Sequence, residues 1–394
     1  MSAPTALGRR SRPTRGALGS LRHDPAAPYR HLDWVLIVAV LVISAVGLLM
    51  VFSTSRGANP PYYYAQAAKQ LFYVVLGIVG AAIILAIDYR HFRDWAPFIY
   101  GAGLALLLFV LTPLGSSHKG SQSWIDLGMF QLQPSEIAKV TFIIGIAGLA
   151  AHYRGEPTLA RVAALLAVSG VPIVLVLAQG DLGTALVFVA MVPTILWIGG
   201  TKGRYLVVLA LVAVLVAGAI VTSGALKQYQ TDRLTVFVTQ TDTGVAAAHS
   251  QGAAYNLDQA KIAIGHGGLW GRGLFNGSQT RTGQVPEQDT DFIFTAAAEQ
   301  FGFVGAASLL AVMGLVVIRV WRTAQLARDD FGAYVCAGVL AMFLFQIFEN
   351  VGMTMGIMPI TGIPLPFMSY GGSSTLANFA AVGLVLNVHA RRFA

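Results

Sequence analysis

The chain has 394 residues, of which 55% are hydrophobic and only 11% charged, and a formal net charge of +8. A soluble domain carries about 25% charged residues, so this composition excludes an ordinary soluble enzyme and indicates an all-α, polytopic integral membrane protein. The single cysteine, Cys336, excludes an internal disulfide and a cysteine-clustered metal site, and the eight histidines have no metal-ligand spacing.

Residues 1–30 are polar, rich in Arg, Pro, Gly and Ser, and have no apolar core. They read as a disordered basic cytoplasmic tail rather than a cleavable signal. Residues 31–394 read as one transmembrane domain. A bilayer core of about 30 Å needs roughly 20 apolar residues per helix. About ten such stretches follow, near 34–52, 71–87, 96–113, 135–151, 160–178, 183–199, 205–223, 292–320, 332–357 and 373–389. Their length and continuity favour helices over a barrel.

Ten spans with the N-terminus inside put 17 of the 26 Lys and Arg residues on one side and 8 on the other, with Lys139 inside a helix. Positive charge marks the cytoplasmic side. Both termini are therefore expected in the cytoplasm, and the basic balance is a topology signal rather than a mark of nucleic-acid binding. On the opposite side, residues 224–290 form one large extracytoplasmic loop. Its Leu, Ile, Tyr, Trp and Gly content argues against simple disorder and predicts short amphipathic helices, for example around Asn256–Ile264.

Charge at membrane depth is costly, so each ionisable residue near an apolar stretch is a candidate site. Trp124, in Gln122-Ser123-Trp124-Ile125-Asp126, lies just outside the third stretch. It is either an interface-belt residue or a stacking platform for a sugar or lipid. In Gln133-Pro134-Ser135-Glu136-Ile137-Ala138-Lys139, Pro134 suits a first helical turn. Glu136 and Lys139 are three apart and share a helix face. They either tie helices together as a buried pair or line a charged cavity. Asp181, in Gln179-Gly180-Asp181-Leu182-Gly183, sits between two closely spaced stretches. It is a helix cap or a site carboxylate.

The segment Pro286 to Glu299 is the most pointed. Glu287 and Asp291 are four apart, and Asp291 and Glu299 eight apart, so a helix starting near Thr290 would bring them toward one face. A carboxylate at the edge of an apolar medium has its pKa raised by desolvation, toward the range a general base needs. Its alternative role is an acidic helix end complementing the dipole. Between the last two stretches, Gly356 to Ser374 has four glycines, three prolines and no charge. Non-helical backbone at membrane depth is tolerated where it lines a cavity, so this segment, with Ser369, is expected beside the site.

Five ordered runs carry a family resemblance: Trp124-Ile125, Gln133 to Lys139, Asp181 to Ala185, Thr290-Asp291-Phe292-Ile293-Phe294, and Gly362 to Ser374. Together they resemble the SEDS family (shape, elongation, division and sporulation), from about residue 31 onward. The opening Arg30-His31-Leu32-Asp33-Trp34 is more similar to RodA, the elongation branch, than to FtsW, the division branch. The resemblance implies a ten-helix glycosyltransferase that polymerises lipid II into glycan strands outside the membrane and releases undecaprenyl diphosphate. It implies that Asp291 is the catalytic base, and that Trp124, Glu136 and Lys139 fall on functional positions. Family members often have His where this chain has Asp289, Arg where it has Ser123, and Pro where it has Gly180. The cation for the diphosphate is then Lys119, Lys139, Arg233 or Arg272, with a divalent ion (Mg or Mn) as an additional candidate.

A flippase for the same lipid-linked precursor is the alternative reading, because intramembrane charges also mark transport pathways. The chain has no clear internal repeat of the transporter kind. The resemblance further implies a class B penicillin-binding protein as partner. The long ninth stretch, with Gly338 and Ala341, is the expected docking helix.

Overall fold

In a computed structural model, the structure describes residues 31–57, 61–113, 115–118, 121–126, 128, 131–153, 158–222, 224, 228–239 and 252–393. The expected tail 1–30, Lys119 and residues 240–251 of the long loop lie outside the described residues.

Every one of the ten apolar stretches is a helix. They are α1 (Trp34–Ser55) and α2 (Ala65–Ala86), then, after the short α3 (Tyr89–Asp94), α4 (Ala96–Val110). A small sheet follows: β1 (Ser116–His118), β2 (Ser121–Asp126) and β3 (Gln131–Leu132). Next come α5 (Pro134–His152), α6 (Leu159–Ala178), α7 (Leu182–Ile198) and α8 (Gly203–Thr222). The long loop holds α9 (Gln228–Thr239), α10 (Ala253–Gly267) and α11 (Ser278–Thr282). The chain ends with α12 (Ile293–Leu326), α13 (Asp330–Met355) and α14 (Gly372–Ala390). Helices α1, α2, α5, α6, α12 and α13 are long and apolar enough to cross a membrane by length and composition; α4, α7 and α8 are shorter apolar helices.

Local sequence sets the helix ends. Asp33 caps α1 by accepting from the Leu36 amide at 3.1 Å, and Asp329 caps α13 through the Gly332 amide at 2.8 Å. Pro134 occupies the first turn of α5, where its missing N–H costs nothing. Gly356 closes α13 with φ +77°, a left-handed conformation that glycine takes without strain. The core runs through the bundle: α14 packs on α2, α4 on α5, α13 on both α7 and α12, and α1 on α12. Cys336 is fully buried in it.

Two features refine the sequence reading. The segment between α4 and α5 is a three-stranded antiparallel sheet in the order β1-β2-β3, with Ser116 paired to Trp124 and Ile125 to Leu132. Helix α12 is broken at Gly302, which has φ +66° and ψ −168°. The glycine-rich run after α10 fills the break. Arg272 and Gly273 amides donate to the Glu299 and Gln300 carbonyls, both at 3.0 Å. In return the Phe303 and Val304 amides donate to Gly268 and Leu269 carbonyls at 2.8 and 3.1 Å. A Cβ at Gly271 or Gly302 would collide with the opposing backbone, which explains the glycines as close-approach residues. The helix expected around Asn256–Ile264 is present as α10.

Gly338 and Ala341, expected on a docking face, point inward. Both are buried, and a side chain at Gly338 would meet Ile143 of α5 at 2.9 Å. The outward face of α13 carries Leu344 and Phe348 instead.

Candidate active site

A cavity of about 370 Å³ opens at one end of the bundle. That end collects the C-terminal end of α6, the N-terminal ends of α5 and α7, the sheet, α9, the turn before α12 and the α13–α14 segment. Its size falls within the range of small-molecule sites, roughly 300–1,000 Å³. Its walls are polar for a membrane protein: Ser123, Gln133, Asp181, Gln230, Arg233, Glu287, Thr290, Asp291, Thr361, Tyr370 and Ser373 all contribute.

The sheet brings Trp124 to this wall. Strand β2 is pinned to the end of α6, where the Gln179 carbonyl accepts from the Gln122 amide at 3.0 Å and from Ser121 Oγ at 3.1 Å. Ser123 and Ile125 are buried while Trp124 between them is half-buried on the cavity side. Asp181 has two tasks. One oxygen caps α7 by accepting from the Thr184 amide at 3.0 Å. The other accepts from Gln133 Nε2 at 3.3 Å and Ser135 Oγ at 3.4 Å, fastening the start of α5.

Asp291 is presented by a tight turn, not by a helix. The carbonyl of Glu287 accepts from the amides of Thr290, Asp291 and Phe292 at 3.3, 3.1 and 3.2 Å. Glu287 itself has φ +52°, an uncommon conformation for a residue with a side chain, and backbone strain of this kind concentrates at functional sites. Helix α12 begins at Ile293, three residues later than expected, with Phe292 at the N-cap. Asp291 therefore precedes the helix and does not share a helical face with Glu299.

Three successive carbonyls of the turn are tied to the α13–α14 region. Asp289 O accepts from the Tyr370 amide at 2.8 Å. Thr290 O accepts from Ser369 Oγ at 2.6 Å, and that hydroxyl accepts from the Leu365 amide at 2.8 Å. Asp291 O accepts from Asn350 Nδ2 at 2.8 Å, and the same nitrogen donates to Ile363 O at 2.8 Å. At Gly362 (φ +78°) the backbone comes close to the carboxyl: a Cβ there would stand 3.2 Å from Asp291 Oδ2 and 3.8 Å from Arg233 Nη1. Absence of a side chain at 362 leaves the carboxylate and the guanidinium facing one spot. Tyr370 completes this wall, and burial, reinforced by the nearby Tyr73 and Asp289, pushes its hydroxyl above the ordinary range, so it stays a neutral donor.

The sequence candidates thus separate into two groups. Trp124, Asp181 and Asp291 line the cavity. Glu136 and Lys139 do not; both are 1% exposed and form a 2.8 Å ion pair within α5. Glu299 is buried beside α11, where its oxygens accept from the Gln279 amide at 2.8 Å and the Thr280 amide and hydroxyl at 3.0 and 2.7 Å. It serves as a cap donated from another helix. Arg272 is exposed, and its Nε donates to the His266 carbonyl at 2.8 Å. Ser369 braces the Asp291 turn from behind. Of the four cations named for a diphosphate, Arg233 is the one lining the cavity, while Lys119 lies outside the described residues. Asn350, Gln230 and Thr361 were not singled out from sequence. Asn350, like Gln346 and Glu349, is a polar residue inside an apolar stretch, the same signal that marked Glu136 and Lys139.

This fold and cavity define a polytopic membrane protein with an acid-bearing polar site at one end of its helices. The family model described as "Cell cycle protein", covering FtsW, RodA and SpoVE, matches residues 33–393. The chain is 32% identical over 362 residues to the peptidoglycan glycosyltransferase MrdB of Escherichia coli K12, covering 92% of this chain and 94% of that one. Its fold matches a chain of a peptidoglycan synthase complex that coordinates polymerization and crosslinking (TM-score 0.76, 30% identity, 92% and 98% covered). It also matches the rod shape determining protein RodA of Thermus thermophilus (TM-score 0.67, 28% identity, 92% and 98% covered). The chain belongs to the FtsW/RodA/SpoVE family, and it is a bacterial membrane protein.

Proposed function

We propose that this chain is a peptidoglycan glycosyltransferase that polymerises lipid II into glycan strands. The observation that carries the reading is the approach of Asp291 and Arg233 to one spot beside Gly362, in a cavity walled by Trp124. Transfer requires a base for the acceptor sugar's 4-hydroxyl and a cation for the departing diphosphate. Asp291 accepts the hydroxyl proton as that oxygen attacks the anomeric carbon of the donor. Arg233 takes the charge that develops on undecaprenyl diphosphate, and Trp124 gives an aromatic face for a sugar ring.

Among the described residues no cluster of three or more His, Cys, Asp or Glu is arranged to hold a metal ion. The cavity offers the Glu287 and Asp291 carboxylates. Magnesium takes such a pair together with substrate phosphates, so a divalent ion fits here only as part of the bound diphosphate complex.

The arginine pairs support a cytoplasmic face opposite the cavity, with Arg90, Arg93, Arg391 and Arg392 at the other helix ends. The cavity and the 224–290 loop are then extracytoplasmic and both termini cytoplasmic. Similarity to a rod-shape protein supports a role in elongation. The synthase complex supports a class B penicillin-binding protein partner; the outward Leu344 and Phe348 of α13 are the apolar surface we assign to its membrane helix.

The test is polymerisation of labelled lipid II by the purified chain. Asp291→Asn is expected to lower the rate by about 10²–10⁴-fold, the usual worth of a general base, with unchanged thermal stability. Undiminished polymer from Asp291→Asn would remove the assigned base. Lipid II translocation across vesicles without polymer would replace the reading with a transporter.

A further inference from the structure

A second concavity, of about 410 Å³, lies far from the catalytic cavity, between α1 and the second half of α12. Its lining is wholly apolar: Trp34, Val35, Val38 and Val42 from α1, Val312 and Leu315 from α12. From Trp34 to Val42 it follows about 12 Å of helix at 1.5 Å per residue.

One end of this groove is charged. On α12 the positions 312, 315, 319 and 322 are spaced by three, four and three, so Arg319 and Arg322 continue the stripe that Val312 and Leu315 begin. Arg319 donates to Asp33, with Nε and Nη2 each 2.8 Å from Oδ2. Asp33 is the residue immediately before Trp34, which fixes that end of the groove at the guanidinium. Arg322, one turn further, is exposed. Arg392, after α14, is close enough for the charges of Asp33, Arg319 and Arg322 all to act on it. Three arginines face one aspartate, so the groove's mouth is net cationic. Trp34 stands there 63% exposed, the position of an interfacial anchor.

We propose that this groove binds an anionic glycerophospholipid, with one acyl chain along α1 and α12 and its phosphate between Arg322 and Arg392. Charge complementarity selects this occupant. A zwitterionic lipid carries its own cation into the arginine cluster, whereas an anionic headgroup meets only opposite charge. Each surface arginine adds about 1 kcal/mol toward an acidic lipid, close to fivefold in affinity.

The full-length protein, delipidated in detergent, is titrated with phosphatidylglycerol or phosphatidylcholine and followed by native mass spectrometry. Phosphatidylglycerol is expected to bind at least about tenfold more tightly. Arg322→Ala with Arg392→Ala is expected to weaken it by about 25-fold and to leave phosphatidylcholine unchanged. Val38→Trp, which fills the groove from an exposed position, is expected to weaken it without touching an arginine. Glycerophosphoglycerol, a headgroup without chains, is expected not to compete. Equal binding of the two lipids overturns the proposal, as does phosphatidylglycerol binding that survives both variants. If Val38→Trp releases a co-purified single-pass partner while phosphatidylglycerol binding is intact, the groove is a helix-docking site and the proposal is wrong.

Discussion

Asn350→Leu tests whether Asp291 works from a position held by its backbone. Asn350 is fully buried, and its Nδ2 donates at 2.8 Å to both Asp291 O and Ile363 O. Leucine has similar bulk but no donor, so the variant leaves two carbonyls without that partner. A buried acceptor stripped of its bond costs about 1–3 kcal/mol, so the two together cost about 2–6 kcal/mol. The ties at Asp289 O and Thr290 O remain, at 2.8 and 2.6 Å, so the turn persists while its last residue loosens. A catalytic group displaced by about 1 Å loses about 10²-fold in rate. The expected result is a kcat for lipid II polymerisation about 100-fold below the parent, with KM little changed and a lower melting temperature in the same detergent. Asn350→Asp should fall at least as far, because a carboxylate there faces two carbonyl oxygens. In an Asp291→Asn background Asn350→Leu should add almost nothing, since the base it positions is already gone. A variant that melts earlier yet polymerises at the parental rate would refute the positioning role and leave Asn350 as a stabilising tie only.

The Glu136–Lys139 pair, 2.8 Å apart and 1% exposed, should behave as a coupled unit: Glu136→Gln or Lys139→Met alone costs about 3–5 kcal/mol, and the double variant costs less than either sum. Thermal unfolding of the three variants reads this, and strictly additive losses would mean the charges do not compensate each other. Gly302→Ala should destabilise by at least about 1–3 kcal/mol from its φ of +66° alone, and more because the added methyl meets the Gly271 backbone; a parental melting temperature would contradict the close approach. Chelation should slow polymerisation by weakening diphosphate binding, raising KM for lipid II more than it lowers kcat, because Glu287 and Asp291 alone make no complete cage. Rates identical with and without chelator would place the diphosphate on Arg233 alone.

Helices were legible because length and apolarity decide them in a membrane, where every backbone polar group must be satisfied within its own segment. The sheet before α5 was not, since a two-residue strand such as β3 and the short run Ser121–Asp126 have too few residues to show a period against a polar background. The break in α12 was hidden for a different reason. Gly302 sits in an apolar run that reads as continuous, and the partner that makes the break favourable, the Gly268–Gly273 backbone, arrives from about thirty residues earlier.

For the site, charge in an apolar stretch proved a sound sign of constraint but an incomplete sign of its kind. Glu136, Lys139, Glu299 and Asp291 carry the same signal in sequence. Burial separates them: the first three are enclosed and compensated, by each other or by the start of α11, whereas Asp291 is half-buried at a cavity wall with its backbone held by residues 59 and more positions away. Glu299, whose two oxygens both accept from the start of α11, and Glu136, ion-paired to Lys139 inside α5, have structural tasks. Asp291 is held through the carbonyls of its turn and lines the cavity. That distinction depends on which atoms receive the hydrogen bonds, and it becomes visible only when α13, the proline-rich segment and the turn before α12 meet in space.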